Sequence, residues 1–182
     1  MIQFYDSATL PVSRWRNGGG ETREIVSFPP DRAEFSWRIS IATIAADGAF
    51  SRFPGIDRVI TLLEGEGVEL NAGSRYTQLL RPRQPFIFAG EDEIEARLTG
   101  GVSTDFNVMT RRDTHLAEVR VVSDACAPAL QSAGVVYVME GEWKTGTQTL
   151  ARGQGAWWES EEPSFIPTSA GALLLLAEIT CR

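Results

Sequence analysis

The segment Leu63-Glu64-Gly65-Glu66 decides the fold, because it recurs as Met139-Glu140-Gly141-Glu142. Each copy follows three β-forming residues and contains a glycine suited to a tight turn. A second element, Leu80 followed by Gln84-Pro85-Phe86-Ile87-Phe88, recurs as Leu150 followed by Gln154-Gly155-Ala156-Trp157-Trp158. The same two elements in the same order indicate a duplicated unit whose hairpin loops differ in length. Chance similarity of two Glu-Gly-Glu turns is the alternative explanation.

Strand signals dominate the rest of the chain. Apolar or alternating runs, separated by clusters of Gly, Pro, Asp or Ser, predict strands at 22–28, 35–42, 59–63, 86–89, 106–110, 118–122, 135–139, 155–158 and 172–179. At most one helical turn is predicted, at 124–131, because Pro128 interrupts it. Many short strands are typical of an all-β barrel or sandwich.

Composition limits the partners. With 182 residues and an apolar fraction of 43%, the chain has enough apolar material to form one core or two small ones. The net charge of -7 argues against nucleic acid and against anionic membranes, because both need a basic patch. Of the seventeen basic residues all but Lys144 are arginine, so a cation in a pocket is expected to be a guanidinium. Genomic base composition explains the same bias equally well.

Cysteine usage and hydropathy exclude several classes of protein. Cys126 and Cys181 are far apart and form no Cys-x-x-Cys pair, so neither a zinc ribbon nor a thioredoxin-like redox site is predicted. The N-terminal residues lack the pattern of a secretory signal, and the longest apolar run, Ala172–Ala177, is too short to span a membrane. A cytoplasmic location is expected.

The run Asn17-Gly18-Gly19-Gly20 admits two interpretations. Asn-Gly is a hairpin-turn dipeptide, so the run is either a tight turn or a bulge. Alternatively, glycines without a Cβ bring bare backbone close to a ligand. A phosphate loop is disfavoured, because the spacing is absent and Lys144 is the single lysine of the chain.

Four segments together resemble the HutD/Ves family of bicupin proteins: Trp15–Ile25, Phe35–Ala42, Asp47–Arg58 and Leu62–Gly67. The resemblance implies a duplicated double-stranded β-helix, the RmlC-like cupin fold. We expect one barrel at 1–112 that holds the ligand site, and a degenerate, mainly structural barrel at 113–182. The resemblance also implies a role in bacterial histidine utilisation without demonstrated catalysis, through sensing of an intermediate such as N-formylglutamate.

A metal-binding cupin usually presents several histidines and a glutamate, but this chain has only His115. No transition metal or other cofactor is therefore expected, and an all-carboxylate site for a hard cation has no supporting spacing. Counted back from the Leu-Glu-Gly turn, Arg58 falls near the place of the metal-binding glutamate, and Arg52 near that of the histidines. A guanidinium in place of the metal would bind a carboxylate directly.

Strand alternation supplies the other candidates. Arg38 and Ser40 share one face of their strand, which is either exposed or turned to a polar lumen. Thr22 and Arg23 lie on opposite faces, so at most one points inward unless a bulge intervenes, and Asp105 alternates with Asn107. The predicted ligand-binding residues are Asn17, Gly18, Gly19, Thr22, Arg23, Arg38, Ser40, Arg52, Arg58 and Asn107.

The leading hypothesis is a metal-independent binding protein for a small anionic metabolite, possible as a homodimer, with a regulatory role. The alternative is a metal-independent isomerase or hydrolase acting on a small carboxylate. Its acid or base would be a buried carboxyl group such as Asp57, Asp105 or Glu24, or a tyrosine such as Tyr76. A protein that works only through surface interactions is a third class.

Overall fold

Eighteen β-strands carry nearly all regular structure among residues 1–129 and 132–182, which are the residues that the computed structural model describes. The strands are β1 Gln3–Asp6, β2 Val12–Arg14, β3 Gly20–Phe28, β4 Trp37–Ile44, β5 Gly48–Ala49, β6 Ile56–Glu64, β7 Val68–Asn71, β8 Thr77–Leu80, β9 Phe86–Ala89, β10 Glu95–Leu98, β11 Ser103–Arg111, β12 His115–Val122, β13 Ala133–Glu140, β14 Glu142–Thr145, β15 Gln148–Ala151, β16 Gln154–Trp158, β17 Ile166–Pro167 and β18 Leu173–Cys181. A 3₁₀ turn covers Ser7–Thr9. The all-β prediction is confirmed.

Contacts divide the chain into two units. The first unit is Pro11–Asp113, and the second is Met1–Leu10 together with Thr114–Arg182. The sequence prediction placed the first ten residues with the first barrel, whereas β1 pairs with β16 of the second unit. The partner of a β-strand lies far away in the chain, so the local sequence of Gln3–Asp6 carries no signal for it.

The first unit holds a six-stranded sheet in the order β2-β3-β4-β11-β6-β9 and a four-stranded sheet in the order β5-β10-β7-β8. Apolar residues from both sheets form one buried cluster, in which Ile60 and Leu62 of β6 join Leu70 of β7 and Leu80 of β8. The unit is therefore two sheets around one core, and neither sheet closes on itself.

The second unit repeats this plan with a five-stranded sheet, β1-β16-β13-β18-β12, and a three-stranded sheet, β15-β14-β17. Its core cluster includes the fully buried side chains of Trp143, Trp158 and Phe165. Among the described residues no helix is long and apolar enough to cross a membrane.

The duplicated elements predicted from sequence occupy matching places. The turns between β6 and β7 and between β13 and β14 contain Gly65 and Gly141, which have φ angles of 111° and 73°. These values favour glycine. At 124–129 the chain holds no helical turn, since Cys126 bridges Phe165. The last two residues of the predicted turn, Leu130 and Gln131, lie outside the described residues.

Candidate functional site

A cavity of about 500 Å³ opens in the first unit. Its walls come from the β2–β3 hairpin, from the inner faces of β4, β6 and β11, and from the segment after β5. Four arginines and one carboxyl group line it, together with aromatic and small polar side chains. The cavity has the size and mixed lining of a small-molecule site.

Sheet register places the polar residues of β4 and β11 on this wall. Ser40 lies opposite Asn107, and Arg38 lies opposite Met109. Residues directly opposite each other in antiparallel strands share a face, so these side chains converge. All four line the cavity. Arg38 and Ser40 therefore face the lumen, which settles the alternative that the sequence left open.

Arg58 is the deepest cation of the cavity. It is 7% exposed, and its guanidinium carbon lies 4.9 to 5.5 Å from the ring centroids of Phe50, Phe53 and Phe88. Nη2 donates to Asn107 Oδ1 over 3.1 Å, while Nε has no hydrogen-bond partner among the described residues. Burial lowers the pKa of Arg58 to about 10, with Asp105 opposing and the Arg38 charge adding to this shift. The guanidinium therefore remains charged near neutral pH.

Asp105 continues the chain of polar contacts. Asn107 Nδ2 donates to Asp105 Oδ1, while Asp105 Oδ2 is buried without a hydrogen-bond partner among the described residues. Burial raises the pKa of Asp105 to about 7, against the opposing effects of the Asn107 hydrogen bond and the Arg58 charge. Near neutral pH the carboxyl group therefore exchanges between its charged and neutral forms.

The remaining arginines lie nearer the solvent. Arg38 Nε pairs with Glu24 Oε1 at 2.9 Å, and the exposed residues Arg14 and Arg16 line the cavity without an ion pair to any described residue. The protein as a whole has a net charge of -7. A cationic cavity in an acidic protein concentrates anions at that one place.

The glycine run forms the turn of the β2–β3 hairpin. Gly18 has a φ angle of 73°, and Gly19 donates to Asn17 Oδ1 over 2.8 Å. A Cβ on Gly20 would lie 2.3 Å from Thr43 O and 3.0 Å from the Trp15 ring. Trp15 Nε1 in turn donates to Thr22 Oγ1 over 2.8 Å. The glycine run therefore allows segments of the same chain to pack closely against each other. This packing holds the Trp15 side chain at the cavity.

The structure brings six of the ten predicted site residues to the cavity wall: Asn17, Thr22, Arg38, Ser40, Arg58 and Asn107. The cavity lining does not include Gly18, Gly19, Arg23 or Arg52. Whether any of the ten residues binds a ligand stays a prediction.

The other four residues are placed differently for physical reasons. Gly18 and Gly19 shape the hairpin turn, and Arg23 lies on the face of β3 opposite to Thr22. Arg52 extends away from the cavity, where Nε donates to Glu91 O over 3.0 Å and Nη1 lies 3.4 Å from Glu93 Oε1. Its side chain is 54% exposed.

Sequence reasoning left Arg14, Arg16 and Asp105 out of the predicted site, although all three line the cavity. For Asp105 a signal existed, since it alternates with Asn107 on one face of β11. Arg14 ends β2 and Arg16 lies in the turn that follows. The direction of a side chain in a turn cannot be predicted from strand periodicity.

The donor set does not fit a cupin-type transition metal. Among residues 1–129 and 132–182, no three His, Cys, Asp or Glu side chains gather closely enough to hold a metal ion. The single histidine, His115, lies on β12 of the second unit, where its Nδ1 is 2.7 Å from Thr114 Oγ1. Zinc, nickel and iron sites need several imidazole, thiolate or carboxylate ligands, which these cavity walls lack.

Comparison with known proteins supports the fold and identifies the family. The HutD family model matches residues 7–175. Protein Ves of Cronobacter sakazakii is 44% identical over 180 residues, which cover 98% of this chain and 99% of that protein. The structure of HutD from Pseudomonas fluorescens SBW25, solved in a formate condition, superposes with a TM-score of 0.88 at 28% identity over all of both chains.

Proteins with much lower sequence identity share this fold. A cupin 2 conserved barrel domain protein from Leptotrichia buccalis superposes with a TM-score of 0.64 at 10% identity, covering 98% of this chain and 96% of that one. At this identity the similarity concerns the fold alone, and it confirms the cupin-type architecture. The family model and the curated relative span nearly the whole chain, and the chain belongs to the HutD family.

Proposed function

We propose that the first unit binds a small carboxylate anion without a metal, and that this binding serves histidine utilisation. The family and the P. fluorescens protein named HutD support the connection to that pathway. N-formylglutamate, the intermediate that the family resemblance suggests, is our candidate ligand. The protein would then act in the cytoplasm as a sensor, alone or as a homodimer.

One observation carries the proposal: the buried Arg58 guanidinium lines the cavity with its Nε unpaired among the described residues. A buried cation is stable only when other groups compensate its charge. The flanking rings of Phe50, Phe53 and Phe88 supply weak cation–π attraction and exclude water. A carboxylate would supply the full countercharge through charge-assisted hydrogen bonds.

A second guanidinium supports the same ligand class. Arg38 is close enough to Arg58 for its positive charge to lower the pKa of Arg58. Two cations facing one cavity repel each other, and an anion bound between them removes that repulsion. The exposed Arg14 and Arg16 would receive a second negative group nearer the opening. A dicarboxylate suits this graded arrangement of cations.

Asp105 supports a second candidate function, that of an enzyme. A buried carboxyl group in a cavity, with a pKa raised to about 7 by burial, is suited to general acid or base catalysis. The reaction would be an isomerisation or a hydrolysis of a small carboxylate. Binding of the ligand without its conversion favours the binding protein, and conversion of the ligand favours the enzyme.

Isothermal titration with N-formyl-L-glutamate, glutarate and the uncharged glutaramide tests the proposal. We expect saturable binding of one anion per chain in the presence of EDTA, and none of glutaramide. Proton NMR of the same samples after prolonged incubation should show unchanged ligand. Absence of saturable binding of either anion would refute the proposal, and formation of a product would favour the enzyme.

A further inference from the structure

One carboxyl oxygen of Asp105 accepts no hydrogen bond from any described residue. The residue is 1% exposed and lines the cavity, and its Oδ2 has no hydrogen-bond partner among the described residues. A buried charged oxygen without a partner is unfavourable, because it has lost water and gained nothing in return. The oxygen is suited to bind either a ligand atom or a proton.

The neighbouring side chains determine which oxygen can carry that proton. An arginine only donates, so the oxygen of the Asn107 amide must face Arg58, and its Nδ2 must face Asp105. Because Nδ2 also only donates, Asp105 Oδ1 remains an acceptor. A proton on Asp105 therefore resides on Oδ2.

Building on the proposed function, we propose that the cavity binds an anion and a proton together, with Asp105 Oδ2 as the proton-binding atom. An anion beside Arg58 would repel an ionised Asp105, since two carboxylates would then share one guanidinium. One proton from solvent converts this repulsion into an O–H donor directed at the anion. No bond of the ligand changes. Asp105 thereby becomes a residue that selects oxyanions able to accept that hydrogen bond.

The charged groups around Asp105 are consistent with this role. Four arginines line the cavity together with Asp105: Arg58 on β6, Arg38 on β4, and Arg14 and Arg16 on the β2–β3 hairpin. Arg38 is paired with the exposed Glu24 of β3. Inward residues of the four-stranded sheet, such as Leu70 and Ala96, are apolar. Since burial raises the pKa of Asp105 to about 7 in the free protein, uptake of a proton near neutral pH requires little free energy.

Titration of N-formyl-L-glutamate at pH 8 in buffers of different ionisation enthalpy measures the protons taken up. For the wild-type chain we expect close to one proton per anion, and a Kd that rises about tenfold per pH unit above pH 7. Asp105→Asn mimics the protonated form, because its amide accepts from Asn107 and donates to the anion. This variant should take up no proton, bind independently of pH, and bind about tenfold more tightly than wild type at pH 8.

His115→Gln is the matched control. It removes the single imidazole of the chain, and this residue does not line the cavity. It should retain the proton uptake. Anion binding without proton uptake in the wild type, or uptake that persists in Asp105→Asn, would overturn this inference and leave the proposed function intact. If the wild-type chain binds no anion, both are overturned. Should Asp105→Asn fail to fold, absence of proton uptake in the wild type, or its loss in His115→Gln, would still overturn the inference.

Discussion

In the first unit Arg58 on β6 lies opposite Phe88 on β9, whereas in the second unit Gly134 on β13 lies opposite Trp158 on β16. These pairs occupy the same place in the repeated strand order. The guanidinium of Arg58 stands over the Phe88 ring at 4.9 Å. At Gly134 a Cβ would lie 2.5 Å from the Trp158 indole and 2.6 Å from Ala177 O. The indole thus occupies the space into which a side chain at this position would extend.

The polar residues near Arg58 in the first unit are also replaced by apolar residues in the second unit. Asp105 and Asn107 on β11 lie opposite Leu62 and Ile60, while the matching positions of β18, opposite Val138 and Val136, are Leu174 and Leu176. Both ladders even shift register at the same point, beside Asp105 and beside Leu174. The backbone frame is therefore retained while the interior changes from charged to apolar.

This difference is what we expect if the two units have different roles. An interior filled by its own tryptophan gains the free energy of burial, and a ligand cannot enter it without displacing that side chain. An interior lined by arginines stays open, since close packing of like charges is unfavourable. We infer that the second unit contributes stability and the first unit contributes binding.

Trp158→Ala tests the packed half of this comparison and has the largest expected effect. Removing a fully buried tryptophan should lower the free energy of unfolding by about 3–5 kcal/mol, because it leaves a cavity in the core. Urea denaturation followed by circular dichroism measures the loss. Ile87→Ala, at a position 69% exposed on β9, is the control and should change stability by less than about 0.5 kcal/mol. A loss below about 1 kcal/mol in Trp158→Ala would contradict a packing role.

Arg58→Met tests the open half. The substitution keeps an extended side chain among the three phenylalanine rings and removes the charge, so anion affinity should fall by about 1.5–3 kcal/mol, roughly 10- to 150-fold in Kd. Calorimetric titration measures the change, with circular dichroism to confirm the fold.

Arg52→Met is the matched control, because this arginine lies in the same segment of the first unit but pairs with Glu93 outside the cavity. Its affinity should equal that of the wild type. Equal losses in both variants would mean that general electrostatic attraction, not a site at Arg58, accounts for binding.

The sequence was sufficient for the features that depend on local pattern. The Glu-Gly-Glu repeat predicted the duplicated unit, because a turn of fixed type sets the register of its strands. All nine predicted strands exist, although most extend further than the apolar run, for example Ile56–Glu64 against a predicted 59–63. Short strands such as Thr77–Leu80 were missed, since three of its four residues are exposed and give no core signal.

Features that depend on distant contacts were beyond the sequence. The pairing of β1 with β16 joins residues at opposite ends of the chain. The outward direction of Arg52 depends on acceptors near residue 91. The participation of Arg14 and Arg16 follows from how the hairpin bends. The alternation of apolar and polar residues, which predicts strands, contains no information about any of these three features.

The β2–β3 hairpin gives the smallest predicted effect. It extends the large sheet beyond β4, whereas in the second unit the matching strand β12 is the sheet edge. If the hydrogen bond from Trp15 to Thr22 fixes this hairpin, Trp15→Phe and Thr22→Val should each cost about 1 kcal/mol, a fall in Tm of roughly 2–4 °C. The double variant should cost no more than the larger single one, because both remove the same bond. Thr43→Val, on the adjacent strand β4, controls for loss of a hydroxyl group. Strictly additive losses in the double variant would show that the two side chains act independently, and the indole would then line the cavity through packing alone.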